Sequence, residues 1–335
     1  MNKDQPKGGA HAAGSHAAGA KKKKLGAPAI ILLAITGVLV VVVAVVGVAI
    51  FNKYNNIQQQ QSELDLLYPT ADPADMYIAA DDEDWDVMVE SEPIDEQLGI
   101  LQSFEELHKI NDDVIGFVRI PGTQLSTPVV QGTDNTYYLD HDYYKKNALG
   151  IPFADYRAQI TREGQSRNVT IYGHSARDGS YFASLKEFNS LDFYKEHPVI
   201  NFDTIYGKGT YKIVGAFIAK VTTKAGEAAD PEWFNYHEYI DMTSSQFDTF
   251  VEEMNKRSYF HTGIDLMYGD QLVTLSTCDT EIIPSGDTPY RMVVVARKVR
   301  AGENAAVDTS KATANTEMVM PQAWQDKYGK ANPYK

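Results

Sequence analysis

From Leu25 to Asn52 the chain carries no charged residue, and most positions are Ala, Val, Ile, Leu or Gly. A helix needs about 20 apolar residues to cross the hydrocarbon core of a bilayer, so this run is long enough with some tilt. Pro28 falls near its start, where it does little harm to a helix. Lys21, Lys22, Lys23 and Lys24 stand just before the run, and only Lys53 follows closely. That asymmetry predicts a cytoplasmic N-terminus and an extracytoplasmic chain beyond residue 52. The rival reading is a cleaved signal peptide, whose apolar core spans about 7–15 residues. The length and Val-rich end of this run favour a retained anchor over 25–52.

Past the anchor the pattern turns polar and then changes period. Residues 53–100 read as an extracytoplasmic tether. Asn55 to Gln61 is mostly polar, although Ile57, Leu64 and Leu67 predict some helix over 55–68. Asp81, Asp82, Glu83, Asp84 and Asp86 form an acidic run that reads as a solvated spacer. It lacks the spaced ligands, Gly and terminal Glu of a calcium loop. Ser103-Phe104-Glu105-Glu106 has the sequence of a capping box, and Phe104, Leu107 and Ile110 would share one face of the helix it starts. Short strand-like runs follow at Val114–Ile120, Thr127–Gln131, Asn168–Tyr172, Thr210–Ile218, Leu272–Thr277 and Arg291–Val299. Pro121-Gly122, Gly132 and Gly207-Lys208-Gly209 punctuate them. Many short strands with turn signals indicate a barrel or sandwich. A second capping box, Thr243 to Gln246, opens a helix whose Phe247, Phe250, Val251 and Met254 make a core-facing stripe. Residues 101–300 thus read as the folded domain. Residues 301–335 turn polar and read as a disordered tail despite Trp324. Residues 1–24, rich in Gly, Ala, His and Lys, read as a disordered cytoplasmic tail. His11 and His16 within it are incidental rather than a metal tract.

Net charge is −14, which argues against a nucleic-acid binder, since phosphate neutralisation needs clustered Lys and Arg. The 20 tyrosines suit a pleated, half-buried surface and so a β-rich core. Cysteine usage narrows the chemistry. The chain has one cysteine, Cys278, which excludes an internal disulfide and a multi-thiolate zinc site. It is then either an inert core thiol or a nucleophile. It ends a strand and leads into a polar exit, Asp279-Thr280-Glu281. A spare thiol outside the cytoplasm is also an oxidation liability. Both points favour the nucleophile. A base is on hand in His174, which follows the apolar run Val169-Thr170-Ile171 and opens a loop, where catalytic side chains collect. Imidazole beside a thiol stabilises the thiolate and later returns a proton to a leaving amine. His108, His141, His197, His237 and His261 read as surface or packing residues. Arg291 opens the next strand, and a guanidinium that never deprotonates suits a developing oxyanion.

The run Thr274-Leu275-Ser276-Thr277-Cys278 with Arg291 downstream resembles the active-site signature of sortases. The stretch from Tyr172-Gly173-His174 to Leu185 resembles the histidine loop of class B sortases. Ile120-Pro121-Gly122-Thr123, Pro128 to Gly132 and Asp134 to Leu139 resemble that class too, as does the helical insertion at about 243–257. The likeness spans roughly 101–299. It implies a mostly β fold, a closed eight-stranded barrel with peripheral helices, preceded by one transmembrane helix. It implies a membrane-anchored cysteine transpeptidase of Gram-positive bacteria. Such an enzyme cleaves a C-terminal sorting motif of a secreted protein after its Thr, through a thioacyl-enzyme. It passes the acyl group to an amine of a peptidoglycan precursor or a pilin. By position Cys278 matches the nucleophile, His174 the acid/base and Arg291 the oxyanion or substrate-positioning residue. Tyr172, Asn135, Leu139, Ser276 and Thr277 match the substrate groove. No metal or organic cofactor is implied. The chain departs from the pattern in a longer Cys278-to-Arg291 gap, containing Pro284, Gly286 and Pro289, and in a longer polar tail. Two other readings stand beside this one: a cysteine peptidase that hydrolyses the same intermediate, and a membrane-tethered binding module with an inert thiol.

Overall fold

The computed structural model describes residues 27–68, 92–176, 178–221, 232–279, 281–283 and 288–335. The 1–24 segment, the acidic run 81–86, Arg177, Pro284 and Gly286 lie outside them. The chain divides into two compact units, 1–53 and 54–335. In the first, the apolar run is helical, within a helix spanning Ala27–Leu67. From Ile31 to Phe51 its Leu, Val, Ile and Phe side chains are exposed on all sides, as expected of a helix long and apolar enough to cross a membrane.

The second unit is built on strands β1 (Val114–Arg119), β2 (Ser126–Val130), β3 (Phe153–Ala154), β4 (Ile160–Thr161), β5 (Gly164–Gln165) and β6 (Asn168–Tyr172). They are followed by β7 (Val199–Thr204), β8 (Thr210–Lys220), β9 (Phe260–His261), β10 (Leu272–Cys278), β11 (Tyr290–Lys298) and β12 (Thr313–Ala314). Eight of them close a barrel in the order β1-β2-β3-β6-β10-β11-β8-β7. Most neighbours are antiparallel, but β2/β3 and β6/β10 are parallel. Residues on β8, β10 and β11 divide between two cores. Ile213, Ala216, Ile218, Val273, Leu275, Met292 and Val294 fill the main cluster. Val214, Phe217, Leu272, Val293 and Val295 pack instead with Phe247, Phe250 and Met254 of the helix Ser244–Arg257. Burial on both faces is why these strands read as continuous apolar runs rather than alternating ones. Gly215 lets the helix approach: a Cβ there would lie 3.2 Å from Met254.

The helix Ser244–Arg257 starts with the expected capping box, Thr243 and Gln246 each bonding the other's backbone N–H. The box at Ser103 does not form. Gln102–Phe104 is a 3-10 turn ahead of a six-residue helix, Glu105–Ile110. The Ser103 N–H donates to Glu92 Oε1 at 2.8 Å instead, and its buried side chain caps nothing.

Two stretches read as lying outside the folded domain carry core residues. Ile57, Leu64 and Tyr68 are buried with Leu101, Phe104, Leu107 and Phe117. Tyr68 stacks on Phe117 with ring centroids 4.4 Å apart and donates its hydroxyl to Asp203 at 2.8 Å. The supposed tail over 301–335 is likewise folded. Thr313–Ala314 pairs with Phe260–His261, and Gln322–Tyr328 is helical. Met318, Met320 and Trp324 join the main core. Asn315 Nδ2 donates to the carbonyls of Asn255 and Ser258, at 3.0 and 2.8 Å. Its apolar residues are too widely spaced to show a period, so polar composition hid the fold.

The N-terminal result changes where a soluble fragment should begin. A fragment starting at Leu101 leaves Asp203 without its phenol partner and a hole beside Phe117. It is expected to melt well below one starting at Tyr54, since deleting one buried aromatic side chain costs about 3–5 kcal/mol. Equal melting temperatures for the two fragments would show that Tyr68 contributes nothing to the fold.

Candidate active site

The parallel pair β6/β10 places the two central residues. Tyr172 is level with Ser276, and the Gly173 N–H donates to the Ser276 carbonyl at 3.0 Å. Parallel strands end at the same rim, so His174 and Cys278, each two residues further on, leave the barrel side by side. The hairpin of β10 and β11 sets Arg291 directly across from Cys278. All three line one cavity of about 390 Å3. Tyr172, Asn135, Leu139, Ser276 and Thr277, the other residues singled out in the sequence, line the same cavity.

Local contacts orient each of the three. At position 173 a Cβ would come within 2.8 Å of the Phe182 ring, so glycine lets the histidine loop pack down. The loop then folds back, and the Phe182 N–H donates to the His174 carbonyl at 3.0 Å. His174 Nε2 lies 2.7 Å from the Leu139 carbonyl oxygen. A carbonyl only accepts, so Nε2 carries the proton and Nδ1 is the basic nitrogen of the neutral ring. Cys278 is a half-buried free thiol. The next residue, Asp279, is buried and accepts the backbone N–H of Glu281 at 3.1 Å. Arg291 Nη1 donates to the backbone carbonyls of Thr288 and Tyr290. Its Nε and Nη2 have no acceptor among the described residues and are the donors left for a ligand.

Ile151, Phe153, Tyr236 and His237 also line the cavity, and the sequence did not single them out as site residues. The Tyr236 hydroxyl lies 2.6 Å from Ser276 Oγ. Burial pushes its pKa up to about 12, so it stays a neutral phenol. His237 was read as a surface or packing residue; the structure puts it in the cavity wall. Nothing in Asn235-Tyr236-His237-Glu238 announces this, because the segment is brought in by tertiary contacts.

Burial holds the His237 pKa below the ordinary 6.5, with Arg157 and Arg291 adding to the effect and Glu238 and Asp155 opposing it. The folded state therefore favours the neutral ring. The stability this gives is complete above 6.5 and is lost as pH falls below it. His237→Gln is expected to flatten the fall in melting temperature between about pH 6.5 and 5. A variant that tracks wild type over that window would show that His237 protonates freely in the fold.

A cysteine, a histidine and an arginine meet at one rim of a closed eight-stranded barrel, an arrangement suited to acyl transfer through a thiol nucleophile. The family model of the sortase domain matches residues 118–299, and the chain belongs to the sortase family. Its relatives are of class B. It is 31% identical to sortase B of Staphylococcus aureus over 198 residues, covering 59% of this chain and 75% of that one. Its fold resembles sortase B of Bacillus anthracis in complex with AAEK1, at 27% identity and a TM-score of 0.55, covering 75% of this chain and 99% of that one. A sortase B complexed with triglycine matches at 28% identity and a TM-score of 0.51, covering 60% of this chain and 86% of that one.

Proposed function

We propose that Cys278 is the nucleophile, His174 the acid/base and Arg291 the oxyanion donor of a membrane-anchored sortase. Its substrates are secreted proteins bearing a C-terminal sorting motif. The Cys278 thiolate attacks the carbonyl carbon of the motif's Thr. The oxygen gains negative charge and is met by Nε and Nη2 of Arg291, a planar pair of donors that needs no rearrangement as the charge develops. The C–N bond then breaks as protonated His174 gives its proton to the leaving amine. A thioester on Cys278 remains. An amine enters, neutral His174 takes a proton from it, and the thiolate leaves as the new amide forms. Tyr172, Asn135, Leu139, Ser276 and Thr277 form the groove that holds the motif. Residues 25–52 are the anchor, with the N-terminus in the cytoplasm and the catalytic domain outside.

The observation that carries this reading is the shared cavity of Cys278, His174 and Arg291, held by strand pairing rather than by loops alone. A structural relative is complexed with triglycine, which makes a glycine amine the first acceptor to try; a peptidoglycan precursor and a pilin are the two sources of an acceptor amine. Product analysis tests it. With a peptide carrying Thr before the scissile bond, added triglycine should divert product from the free acid to the Thr–Gly amide. Product that stays free acid at any triglycine concentration would make the protein a peptidase.

A further inference from the structure

Asp155 has no exposed surface, yet the chemistry above does not use it. Its Oδ1 accepts Arg157 Nε at 2.9 Å and the Arg157 backbone N–H at 3.0 Å. Its Oδ2 accepts Arg157 Nη2 at 2.9 Å, the Tyr172 hydroxyl at 2.9 Å and Asn135 Nδ2 at 3.0 Å. Burial alone would push this carboxyl up. The Arg157 fork and the Tyr172 hydroxyl outweigh it, and the group sits below the ordinary carboxylate range. Arg157 in turn reaches the far wall of the cavity. Its Nη1 donates to Glu238 Oε2 at 2.8 Å and its Nη2 to the His237 carbonyl at 2.9 Å.

Asn135 and Tyr172 therefore share one charged hub with the turn that carries Tyr236 and His237. All four residues line the cavity; Asp155 and Arg157 stand behind them. The hub also fixes polarity. The Tyr172 proton is committed to Asp155, so its oxygen can only accept from a ligand. Asn135 Oδ1 takes the Tyr156 N–H at 3.0 Å, so its amide cannot flip and its second N–H remains to donate.

We propose that Asp155 and Arg157 are positioning residues for substrate recognition, joining the two walls of the cavity and fixing which of its groups donate and which accept. The inference rests on the reading of this cavity as the peptide groove. A planar fork makes the link, and an ammonium reproduces its charge but not its several directed bonds.

The test uses the full-length protein in detergent micelles, with the best wild-type substrate from a set of fluorogenic peptides carrying Thr before the scissile bond. Arg157→Met is expected to raise KM about tenfold, the equivalent of about 1.4 kcal/mol, with kcat within about threefold. Alkylation of Cys278 by iodoacetamide should keep its wild-type rate, because the hub does not touch the thiol. Arg157→Lys keeps a charge beside buried Asp155, which guards against simple unfolding, and should fall between the two. In an Asn135→Ala background, Arg157→Met should raise KM by clearly less than the product of the single effects, since part of its action runs through Asn135. Wild-type KM in Arg157→Lys and Arg157→Met, or fully multiplicative effects with Asn135→Ala, would overturn the proposal alone. A wild-type protein that acylates with none of the peptides would overturn the groove and the proposal together.

Discussion

Cys278→Ala is expected to abolish transpeptidation while leaving the melting temperature within a few degrees of wild type. The substitution removes one sulfur from a half-buried side chain at a strand end, so little packing is lost. The β10/β11 ladder that sets Cys278 across from Arg291 is backbone pairing and does not depend on the thiol. With no nucleophile there is no thioester, and the remaining groups cannot form a new amide by stabilising an oxyanion that never arises. Turnover near the wild-type rate would contradict a cysteine mechanism. A large drop in melting temperature would instead show the thiol to be a core group.

Arg291→Lys is expected to fail almost as badly as Arg291→Ala. The guanidinium is held by Nη1 on the Thr288 and Tyr290 carbonyls, which aims the other two nitrogens. An ammonium at the same position can satisfy the carbonyls or face the cavity, but it cannot do both with fixed geometry. Removing an oxyanion donor typically costs about 10²–10³ in rate. Single-turnover acylation should show that loss, with peptide binding weakened less. A lysine variant that keeps most of its acylation rate would reduce Arg291 to a positive charge.

The barrel was legible where strands are buried on both faces, because β8, β10 and β11 then read as unbroken apolar runs. β3 is only two residues long, too short to show a period. β7 was hidden by polar positions that find partners inside. Asp203 accepts Tyr68 and the Gly209 N–H and pairs with Arg119, and Asn201 is buried beside it in the strand. Ile57, Leu64 and Leu67 announced the helix over 55–68 but not its packing into the core with Tyr68, and the segment after Arg300 packs through widely spaced single residues that leave no periodic trace. Cys278 and His174 stood out because each ends an apolar run and faces the question of what its chemistry is for. Asp155, Tyr236 and His237 did not, since their place depends on bonds across 17 to 80 residues of sequence.

Intact-protein mass spectrometry of the enzyme incubated with sorting peptides, without an added amine, tests the central claim most directly. A thioacyl adduct carrying the peptide up to and including its Thr is predicted, mapped to Cys278 by digestion, released by hydroxylamine and missing in Cys278→Ala. No adduct with any Thr-containing peptide, or an adduct that persists in Cys278→Ala, would contradict it.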